Sequence, residues 1–321
     1  MDLSIIIVNW NSVEFLRKCL ASVFTHTSGF DFEVIVIDSA SFDGCDRMLD
    51  DEFPTVIFIQ SHENLGFAGS NNRAAEIARG RNFLFLNPDT EIHENAFARM
   101  LSLLKSHADA GCVGCRLLNS DGTVQTSCIQ AIPTIPNQFA DSEFLRRRWP
   151  HSKLWGMSAL FEVTEGPHEV EAISGACVML RRDVWKEIGG FSEDFFMYGE
   201  DIDLSFRARS AGFRNYYVPG AEVVHHGGSS TEKAINDFSI VMMREAIWRF
   251  LRKTRGIAYA AGYRAAMFTS ALCRLTALLL LWPGRAARQS NHKYASPSRK
   301  WWAVLRWSLH AHPSIRHFYK A

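Results

Sequence analysis

Long uninterrupted apolar runs are missing from this 321-residue sequence. Its most apolar region, Ile257 to Pro283, is interrupted by Arg264 and Arg274, so it holds no 18-residue charge-free segment of the kind that spans a bilayer. Features of a secretory leader are also missing from the first residues, which have no basic region and only a short apolar run from Leu3 to Val8, so no leader is expected there. A cytoplasmic body is therefore expected. Cysteine is scarce as well. The seven thiols, at positions 19, 45, 112, 115, 128, 177 and 273, show no even spacing, and their odd number suits a reducing compartment rather than a disulfide framework. Cys112 and Cys115 form a lone C-x-x-C. The setting Gly111-Cys112-Val113-Gly114-Cys115 reads as a buried strand, where residues three apart face opposite ways, and this argues against a zinc site.

What is present is a globular composition, 47% hydrophobic and 21% charged. The length suits one large α/β domain, or a domain of about 250 residues with an appendage. The net charge of +1 conceals an asymmetry. Residues 1–243 carry 20 basic and 33 acidic residues, whereas residues 244–321 carry 15 basic residues and a single acid, Glu245. An acidic body at 1–243 and a basic C-terminal region at 244–321 are expected to form separate parts.

From Met1 to Leu86, short runs rich in Ile, Val and Phe alternate with amphipathic stretches, the pattern of a parallel sheet with helices on both faces. Strands are expected at Ser4–Val8, Glu33–Ile37, Val56–Gln60 and Phe83–Leu86. Val13, Leu16, Leu20 and Val23 fall at helical spacing, with Ser12 placed to cap and Glu14 in the first turn. Ligands in such sheets bind at the carboxyl ends of the strands, which directs attention to Asn9, Asp38 and Asn87-Pro88-Asp89. Leu117–Pro167, rich in turn residues and prolines, reads as an irregular segment. A strand near Ala172–Leu180, helices from about Asp183 and Asp201, and two short strands at Arg214–Val218 and Glu222–His225 should follow.

Five segments carry polar groups suited to chemistry, and each also has a bland reading. Asp89 ends an apolar strand and could hold a divalent cation against a diphosphate, or simply complete a Pro-Asp turn. Asp38 could accept hydrogen bonds from a nucleoside, or form a turn. The loop Asn64-Leu65-Gly66-Phe67-Ala68-Gly69-Ser70-Asn71-Asn72 permits close backbone approach and leads into a helix N-terminus that favours anions, or is an ordinary capped turn. Glu200, Asp201 and Asp203 cluster at a helix start, where the dipole alone would favour them. Aromatic neighbours there would raise a carboxylate's pKa toward that of a general base. Finally, His225-His226-Gly227-Gly228-Ser229-Ser230 brings one histidine of an alternating pair to a glycine-rich turn, or carries an ordinary surface histidine.

In this order, the segments resemble family 2 glycosyltransferases of the GT-A fold, particularly the rhamnosyltransferase-like branch. The resemblance covers about Ser4 to Ser230. It implies a Rossmann-like mixed α/β sheet flanked by helices, with a donor-binding half at about 1–115 and an acceptor-side half at about 116–243. Asn9 and Asp38 would contact the nucleoside, and Asn64, Gly66 and Asn71 would shape the donor pocket. Asp89 would bind Mg2+ or Mn2+, with Asn87 standing where many relatives carry Asp, and His225 would be a further metal ligand. Asp201 would be the base of an inverting transfer, and Glu200 would bind acceptor or sugar. The branch makes dTDP-L-rhamnose the first candidate donor and a UDP-sugar the second, with a glycan or lipid-linked glycan as acceptor.

The C-terminal region fits that acceptor. Arg249, Arg252, Lys253 and Arg255 precede the apolar stretch, and Arg285, Arg288, Lys293, Arg299, Lys300, Trp301 and Trp302 follow it, an arrangement that favours an interfacial helix on an anionic leaflet over a spanning helix or a packed core helix. A peripheral position on the inner face of the cytoplasmic membrane is expected, and no nucleic-acid motif is present. Two rivals differ in features visible in the sequence. A sugar nucleotidyltransferase would carry a Gly-rich basic loop where Asn9-Trp10-Asn11-Ser12 stands, and a catalytically silent nucleotide-sugar-binding protein would have lost Asp89 or Asp201.

Overall fold

The N-terminal apolar run becomes strand β1 (Leu3–Asn9), which is buried along nearly its whole length, as strands of a parallel sheet covered on both faces must be. It pairs in parallel with β2 (Phe32–Ser39) on one side and β4 (Asn82–Leu86) on the other, and β2 pairs in parallel with β3 (Ile57–Ser61). Beyond β4 the sheet turns mixed. The strand β10 (Cys177–Arg181) runs antiparallel to both β4 and β6 (Ala110–Leu118). Then β11 (Arg214–His225) pairs in parallel with β6 and antiparallel with β5 (Thr90–Ile92) and β8 (His168–Val170). The resulting order, β3-β2-β1-β4-β10-β6-β11-β5, bears out the mixed, Rossmann-like sheet. A separate ladder joins β7 (Ile129–Gln130) to β9 (Ala172–Ile173).

The structure, a computed structural model, describes residues 1–140, 148–149, 152, 165–227, 237–280 and 297–309. It divides into one unit of Met1–Ile132, Trp149–Glu193 and Glu200–Ser230, and a second of Pro133–Arg148, Asp194–Gly199 and Thr231–Ala321.

Three local expectations need correction. Arg214–Val218 and Glu222–His225 are one strand, because the Pro219-Gly220 break is absorbed as a register shift between Val218 and Glu222 instead of a turn. The stretch expected as one strand at 172–180 is two, β9 and β10, separated by a polar turn. Ser12 does precede helix α1 (Val13–His26) but makes no side-chain cap. Its hydroxyl donates to Asn9 Oδ1 at 3.0 Å, while Asp43 Oδ2 accepts from the backbone N–H groups of Ser12 and Val13 at 2.9 and 3.0 Å. A distant carboxylate thus caps the helix. Cys112 and Cys115 lie in β6 and are buried free thiols, as the strand reading requires.

Helices α2 (Cys45–Glu52), α3 (Gly66–Ile77), α4 (Ala96–Ser106), α6 (Arg182–Ile188) and α7 (Glu200–Ser210) complete the first unit, and α5 (Ile135–Phe139) lies in the second. The chain passes from α3 to β4 through Gly80, whose N–H donates to Ser4 Oγ at 2.8 Å. A Cβ there would lie 2.4 Å from the Ser4 backbone nitrogen and 2.7 Å from the Leu3 carbonyl carbon. Backbone cannot swing aside, so Gly80→Ala should lower unfolding free energy by about 1–3 kcal/mol, as measured by urea denaturation. Wild-type stability would show that the two segments separate freely.

In the second unit, α8 (Asp237–Arg255), α9 (Ile257–Leu280) and α10 (Pro297–Ser308) pack on one another. The tail's single acid is their polar hub. Glu245 Oε2 accepts from Arg264 Nη2 at 3.1 Å and Trp307 Nε1 at 3.0 Å, and Arg249 Nε lies 3.2 Å from Oε1. Arg264, one of the two charges that interrupt the apolar stretch, lies over the rings of Trp248 and Trp307. The expected pair of interfacial tryptophans divides: Trp301 is buried with Arg274 over its ring, whereas Trp302 is exposed, as are Leu279 and Leu280. Among the described residues, no helix is long and apolar enough to cross a membrane. Leu281, Trp282, Arg285, Arg288 and Lys293 lie outside the described residues.

Candidate active site

The parallel register sets Asn9 and Asp38 side by side at the carboxyl ends of β1 and β2. Asn9 Nδ2 donates to Asp38 Oδ1 at 2.9 Å and reaches both oxygens of Asp43 at 3.1 and 3.2 Å. Asp38 also accepts from the Ser41 hydroxyl and amide, the Phe42 amide and Gln60 Nε2. Burial opposes its ionisation, but these donors outweigh burial and hold its carboxyl below the usual value. They also fix a loop in which Ala40 and Phe42 adopt left-handed backbone, with φ of 58° and 51°, the kind of local strain that persists only where surrounding bonds impose it. Sequence reasoning missed Asp43 and Gln60, although Asp43 sits in the polar loop that follows Asp38.

Asp38, Asp43 and Cys45 bring three potential metal ligands within 4.8 Å of one another. Both carboxylates are already supplied with protein donors, and burial raises the Cys45 thiol's pKa well above its ordinary value. The group therefore suits a rigid platform better than a cation site. Asn64 Oδ1 accepts from Ser39 Oγ and from the Gly66 amide at 3.3 and 3.0 Å, which ties the next loop to the end of β2. Asn71 is turned inward, its amide donating to the Phe67 carbonyl one helical turn earlier.

A second cluster forms where β4 ends and β11 ends. Asp89 Oδ1 lies 3.3 Å from His225 Nε2, and Asn87 Nδ2 lies 3.3 Å from the same nitrogen. His226 points elsewhere, with its ring nitrogens 2.7 Å from Glu91 Oε1 and 2.8 Å from Ser120 Oγ, as strand alternation requires. A buried carboxylate and an imidazole nitrogen converging on one point are a donor set that fits a divalent cation such as Mn2+. Gly228, Ser229 and Ser230 lie outside the described residues.

The third cluster starts α7. Asp201 Oδ2 accepts from the Gly175 amide at 3.0 Å and from Gln130 Nε2 at 3.4 Å, and its Oδ1 from the Ile202 amide at 2.8 Å. Burial raises its pKa nonetheless. Burial, followed by the neighbouring Asp201, pushes Glu200 up to about 8. Asp203 takes no part: it is held by Arg207 Nε at 2.6 Å, and Arg207 also binds the carbonyls of Ile188 and Gly190. Of the three carboxylates, one is structural, and two, the buried Glu200 and the half-buried Asp201, have raised pKa. The turn before β10 links the second and third clusters, since Gly175 donates to Asp201 while the adjacent Ala176 carbonyl accepts from the Asn87 amide at 2.9 Å. Gln130 and Gly175, which orient Asp201, carry no motif that sequence reasoning could have found.

A family model described as glycosyl transferase family 2 matches residues 4–189, and one described as the N-terminal domain of galactosyltransferase matches residues 156–227. The N-acetylglucosaminyl-diphospho-decaprenol L-rhamnosyltransferase of Mycobacterium tuberculosis is 30% identical over 242 residues, covering 71% of this chain and 77% of the relative. A Pyrobaculum calidifontis mannosyltransferase, solved with GDP-Man and Mn2+, has a TM-score of 0.60 at 17% identity and covers 96% of this chain and 85% of its own. GalNAc-T7, solved with UDP, GalNAc and Mn2+, has a TM-score of 0.55 at 16% identity; the match covers 77% of this chain and 47% of that one, so the chain spans about half its length. These two likenesses establish the GT-A fold. The chain belongs to glycosyltransferase family 2, in its rhamnosyltransferase-like branch, and is a sugar-transferring enzyme of glycan synthesis.

Proposed function

We propose that the protein is an inverting, metal-dependent transferase that moves a sugar from a nucleoside diphosphate to a hydroxyl of a glycan or lipid-linked glycan. The first candidate donor is dTDP-L-rhamnose and the second a UDP-sugar. The observation that carries this reading is the Gly175-Ala176 turn, which bonds the half-buried Asp201 carboxylate on one side and the Asn87-Asp89 strand end on the other. A base and a diphosphate-binding group are what direct displacement at an anomeric carbon requires.

In the proposed reaction Asp201 accepts the proton of the acceptor hydroxyl. The hydroxyl oxygen supplies the electron pair that forms the new bond to the anomeric carbon, on the face opposite the leaving group, and the bond from that carbon to the diphosphate breaks with its electron pair leaving on the diphosphate's own bridging oxygen. Asp89 and His225 would hold Mg2+ or Mn2+, which when bound neutralises charge on the departing diphosphate. Asn9, Asp38 and the Asn64–Gly66 loop would receive the nucleoside, and Glu200, protonated near neutral pH, would donate a hydrogen bond to sugar or acceptor. Residues 1–243 would form the catalytic body. The basic region 244–321 would rest on the inner face of the cytoplasmic membrane, a reading supported by its charge and by the lipid-linked substrate in the mycobacterial relative's name.

A thermal-shift screen against UDP-, GDP- and dTDP-sugars with and without Mn2+ tests the donor site. A ligand at 100 times its dissociation constant adds about 2.7 kcal/mol. One nucleotide class should stabilise the wild type in a manganese-dependent way, and Asp89→Ala should remove that dependence. No response to any sugar nucleotide would overturn the donor reading, and a response indifferent to manganese would overturn the metal.

A further inference from the structure

Gln125 stands in the stretch from Leu117 to Pro167 that has no regular pattern, yet its side chain lies next to His225. The chain leaves β6, reverses at Asn119-Ser120-Asp121-Gly122 and returns beside itself. Gly122 N donates to the Asn119 carbonyl at 2.9 Å, Val124 bridges Leu118, and Gln125 N donates to the Leu117 carbonyl at 2.8 Å. Because β11 pairs with β6 through Val223↔Leu117 and Val224↔Leu118, this small hairpin places Gln125 across from the residue that follows, His225. The ring's Nδ1 is 2.7 Å from Gln125 Oε1.

The direction of that bond is fixed from outside. Gln125 Nε2 donates to Asn119 Oδ1 at 3.2 Å, and Asn119 Nδ2 donates to Thr123 Oγ1 at 2.9 Å. Thr123 Oγ1 in turn donates to Asp121 Oδ1 at 2.6 Å. With its amide N–H group engaged, Gln125 presents its oxygen to the ring, and an oxygen can only accept. Hence Nδ1 carries the hydrogen, and in the neutral ring Nε2 keeps a lone pair aimed at the space it shares with Asp89. Asn87 Nδ2, a donor 3.3 Å from Nε2, agrees with that assignment. Gly227 leaves room for the relay: its φ is +56°, and a Cβ there would lie 3.3 Å from Gln125 Nε2.

We infer that Gln125 is a positioning residue for the metal site, holding His225 in the Nδ1–H tautomer and in the orientation that offers Nε2 to a cation beside Asp89. The inference rests on the reading of His225 as a metal ligand. Ligating histidines characteristically donate their other N–H to such a partner, and loss of the partner weakens metal binding about 10- to 100-fold.

The test is titration of the full-length protein with Mn2+ alone, the free ion being followed by electron paramagnetic resonance, together with 15N NMR of the His225 ring without metal at pH 8. Gln125→Met should weaken Mn2+ binding about 10- to 100-fold and lose the Nδ1–H signature. Gln125→Glu, which still accepts from Nδ1, should restore both. His225→Ala should weaken binding at least as much as Gln125→Met, and the double variant should bind no more weakly than His225→Ala. If Gln125→Met binds like the wild type while His225→Ala is weakened, the positioning role is wrong and the ligand role stands. Wild-type affinity in His225→Ala would overturn the ligand reading and the inference with it. A wild-type ring protonated at Nε2, or a double variant weakened by both factors, would overturn the positioning role alone.

Discussion

Asp201→Asn should lower turnover by about a thousandfold or more, within the range expected for loss of a positioned general base, while the donor-induced thermal shift stays intact. Asparagine has the same shape, and its carbonyl oxygen can still accept from the Gly175 amide that orients the native carboxylate. What it cannot do is take a proton. Donor affinity should persist because the groups proposed for the nucleoside, Asn9, Asp38 and Asn64, lie on β1, β2 and the loop before α3, not on α7. Steady-state kinetics beside a thermal-shift titration separates the two effects, and wild-type turnover in this variant would remove Asp201 from the role of base. The wild type should also lose activity toward acid, because Asp201 must be ionised to act and burial holds its pKa above the ordinary aspartate value.

Glu200→Gln should make the folded protein more stable, and increasingly so as pH rises. In the unfolded chain this carboxyl ionises near 4.5, while in the folded protein burial and then the Asp201 charge push it up to about 8. Below pH 4.5 both states hold the proton, and Glu200 contributes no pH dependence. Between the two values the unfolded chain has released a proton that the folded protein retains, so raising the pH favours unfolding, by about 1.36 kcal/mol per unit. By pH 8.5 the accumulated cost is on the order of 4 kcal/mol. Glutamine resembles the protonated acid at every pH and avoids that cost. Urea unfolding at pH 5.5 and 8.5 should therefore show a gap between variant and wild type that widens at the higher pH. Parallel stabilities would mean that Glu200 ionises in the native protein as easily as in water.

The parts of the fold legible in the sequence are those written in contiguous residues. Strands β1 to β4 announce themselves through Ile, Val and Phe runs punctuated by polar ends, and α1 through its apolar spacing. The second half of the sheet is less legible because its order depends on tertiary pairing. Nothing local to Cys177–Arg181 says that it will lie antiparallel between β4 and β6. Pro219-Gly220 reads as a turn because such dipeptides usually make one, yet pairing with β6 on both sides carries the strand through. The site divides in the same way. Asn9, Asp38, Asp89, Asp201 and His225 stand at element ends, where position alone makes them visible. Asp43, Gln130 and Gln125 bond Asn9, Asp201 and His225 from 34 to 100 residues away, and no periodicity encodes such a reach.

The sheet order also sets a timetable for synthesis. The strands β1 to β4 form one contiguous block both in the chain and in the sheet, so they can assemble as soon as Leu86 clears the ribosome. The outer edge of β4 must then wait for β10, which begins at Cys177. At about 5–20 residues per second, that interval of roughly ninety residues leaves a row of unpaired backbone groups beside Phe83, Leu84 and Phe85 exposed for several seconds. Edges of this kind recruit other chains. The nascent half-sheet, rather than the finished enzyme, is thus the species most in need of a chaperone, and its hazard comes from the antiparallel insertion that later joins Asn87 to Asp201.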